Sequence, residues 1–197
     1  MFRVDYDGIA PAFDRRYQIN RYDGTRRALL EFVGTNASCD VCEVGCGTGH
    51  WLAELRDRAR TIVGIDPSSR MLDEALQSGT NALVVRACAE SFPFPSARFD
   101  RVYAINAFHH FVDTTAFATE ARRVLRPGGA VMTIGLDPHT GADQWWVWDF
   151  FPTSLVADKE RYAPTAAIRA LLERAGFVNA ATSVAEHFPV ERGFSVA

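Results

Sequence analysis

A chain of 197 residues, 48% of them apolar and 14 of them phenylalanine, has the material for the core of one domain. Its net charge of −3 argues against a nucleic-acid binder, which needs a basic excess. No apolar run approaches the ~18 residues of a membrane span, and Met1 to Asp7 is interrupted by acids as no signal peptide is, so the expected compartment is the cytoplasm.

Residues 1–37 read as a helical N-terminal cap. Leu29, Leu30, Phe32 and Val33 supply its apolar face, and Gly34 supplies its stop. The pairs Arg15-Arg16, Arg26-Arg27 and Arg122-Arg123 read as solvated helix faces. From residue 40 strands and helices alternate. Val41–Val44 is a first strand running into glycines, and 49–58 is a helix with Trp51, Leu52 and Leu55 on one side. Thr61–Ile65 is a second strand ending at Asp66. Ser68 or Ser69 caps a helix through Met71, Leu72 and Leu76, closed by Gly79. Ala82–Val85 and Phe99–Ile105 are strands three and four. A helix over 114–125 stops at Arg126-Pro127-Gly128-Gly129, Ala130–Leu136 is strand five, 164–175 is a helix, and Phe177–Val184 is a sixth strand.

Apolar strands alternating with helices of this length predict a doubly wound, Rossmann-like α/β domain whose parallel sheet is covered on both faces. The chain divides into the cap at 1–37, a ligand-binding core at 40–136, an aromatic insert at 137–163, and a helix and strand at 164–197. Ligands of such sheets bind beyond the carboxyl ends of the strands. That directs attention to Gly45–Gly49, Asp66, Cys88–Glu90 and Asn106–His110. Cys39 and Cys42 form a C-x-x-C, but Cys46 and Cys88 do not supply the second ligand pair of a zinc site. Reduced thiols and no metal are expected.

A strand, then Gly45-Cys46-Gly47-Thr48-Gly49, then a helix makes a turn that lets a ligand approach the backbone. Asp66, at the end of the next strand, can accept both hydrogen bonds of a ribose diol. The dinucleotide fingerprint G-x-G-x-x-G fits less well. Its third glycine would fall on His50, and Glu43 stands where a carboxylate suits a cationic ligand better than a pyrophosphate.

Glu43-Val44-Gly45-Cys46-Gly47-Thr48-Gly49 resembles motif I of the class I S-adenosylmethionine (SAM)-dependent methyltransferases. Gly64-Ile65-Asp66-Pro67-Ser68 with Met71-Leu72 resembles their second motif. Ala89-Glu90-Ser91-Phe92-Pro93-Phe94, Phe99-Asp100, His109-His110-Phe111 and Val124-Leu125-Arg126-Pro127-Gly128-Gly129 follow in the family's order. The likeness covers about 40–136 and is greatest to the type 11 group, similar to ubiquinone and menaquinone biosynthesis enzymes. It implies SAM as cofactor and a small-molecule methyl acceptor. Gly45, Cys46, Gly47, Thr48 and Gly49 would hold the amino-acid end of SAM beside Glu43, and Asp66 its ribose. Pro67 and Met71 would line the adenosine pocket, Ala89 and Glu90 would lie by the adenine, and Asn106 and Ala107 would flank the methyl group. Tyr6, Tyr17 and Tyr22, from the cap, would close over the cofactor, and Tyr17 would touch it. Cys88 departs from the pattern, since an aspartate is common there, and a thiol is a poor acceptor for the adenine amine.

His109 and His110 follow strand four. One of them is a candidate general base for an acidic acceptor, or both cap and pack the adjacent helix. Trp145, Trp146, Trp148, Phe150 and Phe151 read as a lid over an aromatic or apolar acceptor, as a helix packed on the core, or as a subunit contact. Only eight residues follow Pro189, so the last strand of the family's sheet is expected to be missing. The open edge would invite a homodimer. Degenerate SAM binding without turnover, or a partner-subunit role, is the alternative to catalysis.

Overall fold

The computed structural model describes residues 5–34, 37–141, 145 and 147–186. Five parallel strands form one sheet: β1 (Asp40–Val44), β2 (Thr61–Asp66), β3 (Leu83–Arg86), β4 (Phe99–Ile105) and β5 (Leu125–Ile134). Their order is β3-β2-β1-β4-β5, so the direction of winding reverses beside β1. The expected architecture is therefore present, with the ligand-binding edge where β1 and β4 diverge.

The helices are α1 (Tyr6–Ile9), α2 (Arg15–Ile19), α3 (Asp23–Val33), α4 (His50–Glu54), α5 (Ser69–Gln77), α6 (Thr114–Val124), α7 (Val147–Phe150), α8 (Pro152–Arg161) and α9 (Thr165–Arg174). Their ends follow local chemistry. The Ser68 hydroxyl accepts from the Met71 amide at 3.1 Å and starts α5. The Asp113 carboxylate accepts from Thr115 and Ala116 and starts α6. Gly34, at φ +86°, ends α3.

Alternation along β1 sends Val41 and Glu43 to one face and Cys42 and Val44 to the other. On the first face Val41, Ile62, Tyr103 and Ile105 pack against Leu29 and Val33 of α3, Trp51 and Leu52 of α4, and Leu72 of α5. On the second, Cys42, Val63, Val102 and Ala104 pack against Phe117, Ala121 and Val124 of α6 and Leu171 of α9. Gly64, in the middle of β2, makes room for the turn above it. A Cβ at this position would lie 2.6 Å from Leu52 Cδ1 and 2.7 Å from Cys46 Sγ.

Several expectations are corrected. The helix over 49–58 ends at Glu54, because the chain turns back at Asp57 with φ +64°. The segment over 177–184 is not a strand. Asn179 adopts φ +59°, and the run Asn179-Ala180-Ala181-Thr182-Ser183 offers few apolar side chains to bury on a sheet. Glu186 instead reaches the start of α3, where its carboxylate accepts from the Thr25 amide at 2.9 Å. The helix over 114–125 ends one residue early, and strand five runs from Leu125 to Ile134 rather than from Ala130 to Leu136, so Arg126-Pro127-Gly128-Gly129 lies within it.

Asp40 ties the amino ends of the strands together. Its side chain is 3% exposed and bonds Arg60 at 2.6 Å, Arg98 at 2.7 Å and Arg126 at 2.9 Å. Arg126 also bonds Asp100, which accepts from the Asp40 amide. The Arg60 hydrogen bonds, followed by those of Arg126, outweigh burial and hold the Asp40 carboxyl well below the usual carboxylate range. A depressed pKa contributes stability above the unfolded value, near 4, and that contribution is lost as pH falls through the folded value. Asp40→Asn should therefore lower stability by roughly 2–3 kcal/mol at neutral pH, given the strength of charged hydrogen bonds. Urea unfolding should show the gap between variant and wild type closing as pH drops below about 4.

Candidate functional site

The turn after β1 continues the hydrogen bonding of the sheet. The amides of Gly45 and Cys46 both donate to the Ile65 carbonyl, at 2.8 and 3.1 Å. The Gly47 amide donates to one oxygen of Asp66 at 2.9 Å, and the Ser68 amide donates to the other at 2.9 Å. Gly45, Gly47 and Gly49 stand at φ +75°, +51° and +79°, a region that favours glycine. Gly45 is constrained twice, because a Cβ there would lie 2.5 Å from the Ala107 Cβ. Asn106 holds φ +52°, and its amide donates to the Ile134 carbonyl at 2.8 Å. The turn after β1 and the turn after β4 are therefore in contact. Gly45, Cys46, Gly47, Thr48, Gly49, Asp66, Asn106 and Ala107 all come together at the carboxyl edge. Burial raises the Asp66 pKa against the pull of its two amide donors.

Glu43 is the buried acid of this site. It is 1% exposed, lies under the turn, and accepts the Tyr103 hydroxyl on Oε2 at 3.1 Å. Its Oε1 is buried and has no hydrogen-bond partner among the described residues. Burial drives its pKa well above the ordinary carboxylate value, and the nearby Asp66 adds to the rise. Such an oxygen is costly to leave bare and suits a hydrogen-bond donor that carries positive charge.

The N-terminal residues close over this edge. Thr48 donates its hydroxyl to Asp14, and Ser68 donates its hydroxyl to Asp7. Tyr17 stacks on His50 at 3.5 Å between ring centroids and packs edge-on against Trp51. Burial raises the Tyr17 pKa to about 12, so it remains a phenol. Arg16 differs from the solvated reading of the Arg15-Arg16 pair. Its guanidinium lies 3.7 Å from the Phe13 ring centre and donates to the Tyr17 hydroxyl, while its Nε is buried without a partner. Its field reaches Glu43.

Around the second motif, Pro67 is exposed and Met71 is buried at the start of α5. Ala89 is buried, but the Glu90 carboxylate is committed elsewhere: it accepts from the Val112 and Asp113 amides at 2.8 and 3.2 Å. Cys42 and Cys46 are buried thiols whose pKa values burial raises.

His109 and His110 form a short 3-10 turn over Phe108–His110. The Nε2 of His110 accepts from the Tyr6 hydroxyl and from Arg161 at 3.1 Å. A guanidinium only donates, which assigns the proton of this neutral imidazole to Nδ1. Burial first, then Arg161, lowers the His110 pKa to about 4. Burial, His110 and Arg161 lower that of His109 to about 3. His109 also packs on Tyr162, with ring centroids 4.2 Å apart. The insert thus meets the site through Arg161 and Tyr162 at the end of α8. Phe150 and Phe151 are exposed, Trp148 bonds Asp158 at 2.9 Å, and Trp146 lies outside the described residues. Arg16 and Arg161 were not foreseen as site residues. The available signal was an arginine beside the tyrosines of the cap and another beside Tyr162.

The sequence profile of the methyltransferase-domain family matches residues 42–133. The chain carries a class I methyltransferase domain of the type 11 family. It is 34% identical over 142 residues to demethylmenaquinone methyltransferase of Deinococcus radiodurans, covering 68% of this chain and 59% of that protein. Nocamycin O-methyltransferase of Saccharothrix syringae is 30% identical over 148 residues, which are 71% of this chain and 52% of that one. The chain thus spans less than two thirds of the length of either relative. A crystal structure of a SAM-dependent methyltransferase from Thermotoga maritima superimposes with a TM-score of 0.71 at 21% identity, over 88% of this chain and 80% of that one, which shows the shared fold.

Within this methyltransferase domain, Gly45→Ala meets both a positive φ and a side chain in the way. The substitution should cost about 1–3 kcal/mol of stability, the usual range for such strain, and should displace the turn from Ala107. Thermal unfolding measures the first effect. Loss of S-adenosylhomocysteine binding by calorimetry measures the second.

Proposed function

We propose that this protein transfers a methyl group from SAM to a small-molecule acceptor. The observation that carries the reading is the bare, buried Oε1 of Glu43 beneath a glycine turn, beside Asp66. A ligand with an ammonium group supplies the donor that this oxygen lacks, and a nicotinamide dinucleotide has no such group to offer there. Bound SAM would supply a methyl group on a positively charged sulfur, activated for displacement by a lone pair.

The residues of the site fit that ligand. Glu43 faces the ammonium, and the Gly45–Gly49 turn leaves the backbone open to the amino-acid end. The buried Nε of Arg16 adds a donor for the accompanying carboxylate. Asp66 keeps lone-pair capacity on both oxygens for the ribose hydroxyls. Pro67, Met71 and Ala89 line the adenosine side, with Glu90 acting through the backbone that it anchors. Asn106 and Ala107 hold the wall nearest the methyl group. Tyr17 acts indirectly, by fixing Arg16 and packing the cap over the turn. The low pKa values of His109 and His110 make them neutral packing and hydrogen-bonding groups rather than general bases near pH 7. The domain reading that follows takes 1–37 as the cap and 137–163 as the acceptor-side cover of a single unit, working in the cytoplasm. No helix among the described residues is long and apolar enough to cross a membrane.

Glu43 links binding to pH. In the free protein its raised pKa favours the protonated form, and an ammonium ligand favours the ionised one. Affinity for S-adenosylhomocysteine should therefore rise with pH until free Glu43 is ionised, then level off. Glu43→Gln should bind about 10- to 100-fold more weakly, the loss expected of a charged hydrogen bond, and should lack that rising limb. Calorimetry over a series of pH values from weakly acidic to weakly alkaline reads both effects. A wild type that ignores S-adenosylhomocysteine and binds NADH would overturn the reading.

A further inference from the structure

Arg161 is a half-buried cation that forms no ion pair with any carboxylate among the described residues. Its neighbours are uncharged: His110 Nε2 at 3.1 Å, the Tyr6 hydroxyl and the Tyr162 ring at 5.6 Å. Arg16 likewise makes no ion pair among the described residues, and Arg101 spends its donors on the Phe32 and Asp100 carbonyls; the remaining half-buried arginines are neutralised by acids. Arg98 and Arg126 converge on Asp40, and Arg123 bonds Glu120. The two histidines beside it supply no negative charge in either protonation state.

The position is that of the acceptor side. His109 and His110 follow β4 one residue beyond Asn106 and Ala107, and Ala107 touches Gly45. Tyr6, which bonds His110, packs on Phe13, and Phe13 lies against Gly47. The surrounding rings of Tyr6, Phe13, His109 and Tyr162 offer flat apolar surfaces, while Arg161 offers a planar fork of donors that matches a carboxylate.

We propose that the acceptor is an organic acid that enters already ionised, a carboxylate on an aromatic or unsaturated skeleton, and that Arg161 is the residue that selects it. This rests on the methyl-transfer reading above. The carboxylate oxygen forms the new C–O bond with its own lone pair as the C–S bond breaks. The electron pair of that bond stays on sulfur, and the products are a neutral methyl ester and a neutral thioether. No proton moves, which removes the need for a general base. His109 and His110, with pKa values near 3 and 4, could not readily act as one. Ion pairing to Arg161 tempers the nucleophile but fixes its orientation, and Tyr6 and His110 hold the guanidinium in place.

The test uses benzoate, benzyl alcohol and benzylamine as probes of equal skeleton and different charge. NMR titrations are run on the wild type with and without S-adenosylhomocysteine. Benzoate should bind at least about tenfold tighter than the other two, as a charged pair to a guanidinium implies. Arg161→Met should reduce benzoate to the level of benzyl alcohol while leaving S-adenosylhomocysteine affinity within about twofold, since Arg161 bonds neither the glycine turn nor Asp66. Arg161→Lys should restore part of the preference. Equal binding of the three probes, or a preference that survives Arg161→Met, overturns the proposal. If S-adenosylhomocysteine fails to bind but the Arg161-dependent preference for benzoate persists, the acid site stands and the cofactor reading falls.

Discussion

One carbonyl organises the carboxyl edge of the sheet. Ile65 O, the last acceptor of β2 facing β1, receives the amides of both Gly45 and Cys46. A parallel ladder leaves its outermost groups without partners, and buried backbone groups must be paired. Folding the first turn back onto Ile65 satisfies that demand and fixes where the chain goes next. Asp66 then takes the Gly47 amide, so the second strand positions the entire turn of the first. The contact of Gly45 with Ala107 extends the same constraint to β4. Three strand ends are thereby locked relative to one another before any ligand arrives, which is the preorganisation a cofactor site requires.

Charge is divided sharply between the two ends of the sheet. At the amino end Asp40 is surrounded by arginines and every member of the cluster is satisfied. At the carboxyl end the arrangement is incomplete: Glu43 keeps a bare oxygen, and Arg16 keeps a bare Nε. Buried polar groups lacking partners are rare enough to need a reason. The same fold thus contains a finished ionic network that serves stability and an unfinished one in which an acid and a guanidinium each lack a partner.

What was legible in the sequence follows from how local each signal is. Val41–Val44 and Thr61–Ile65 are apolar runs bounded by glycine or aspartate, so β1, β2 and the turn between could be placed to within a residue or two. Ser68 and Asp113 announce α5 and α6 through caps that involve only the next three residues. The spacing of Glu43, the glycines and Asp66 reports one strand–turn–helix–strand unit. Phe177–Val184 was misread because a few apolar residues were weighed without the positive φ at Asn179 that turns them away. Arg16 and Arg161 stayed hidden for another reason. They come from the cap and from beyond β5, and their meeting with Glu43 and His110 spans tens of positions that no local pattern records.

Gly64 makes a further dependency visible. The space its missing side chain leaves is filled by Cys46 and Leu52. Residues 46 and 64 therefore share a single volume, although one belongs to the glycine turn after β1 and the other to the interior of a strand. A bulkier residue at 46 has nowhere to go, and even a methyl at 64 would push the turn off its seat. Their sizes must change together or not at all. Variation at Cys46 among related chains would then record the shape of a neighbouring strand rather than the preference of a ligand.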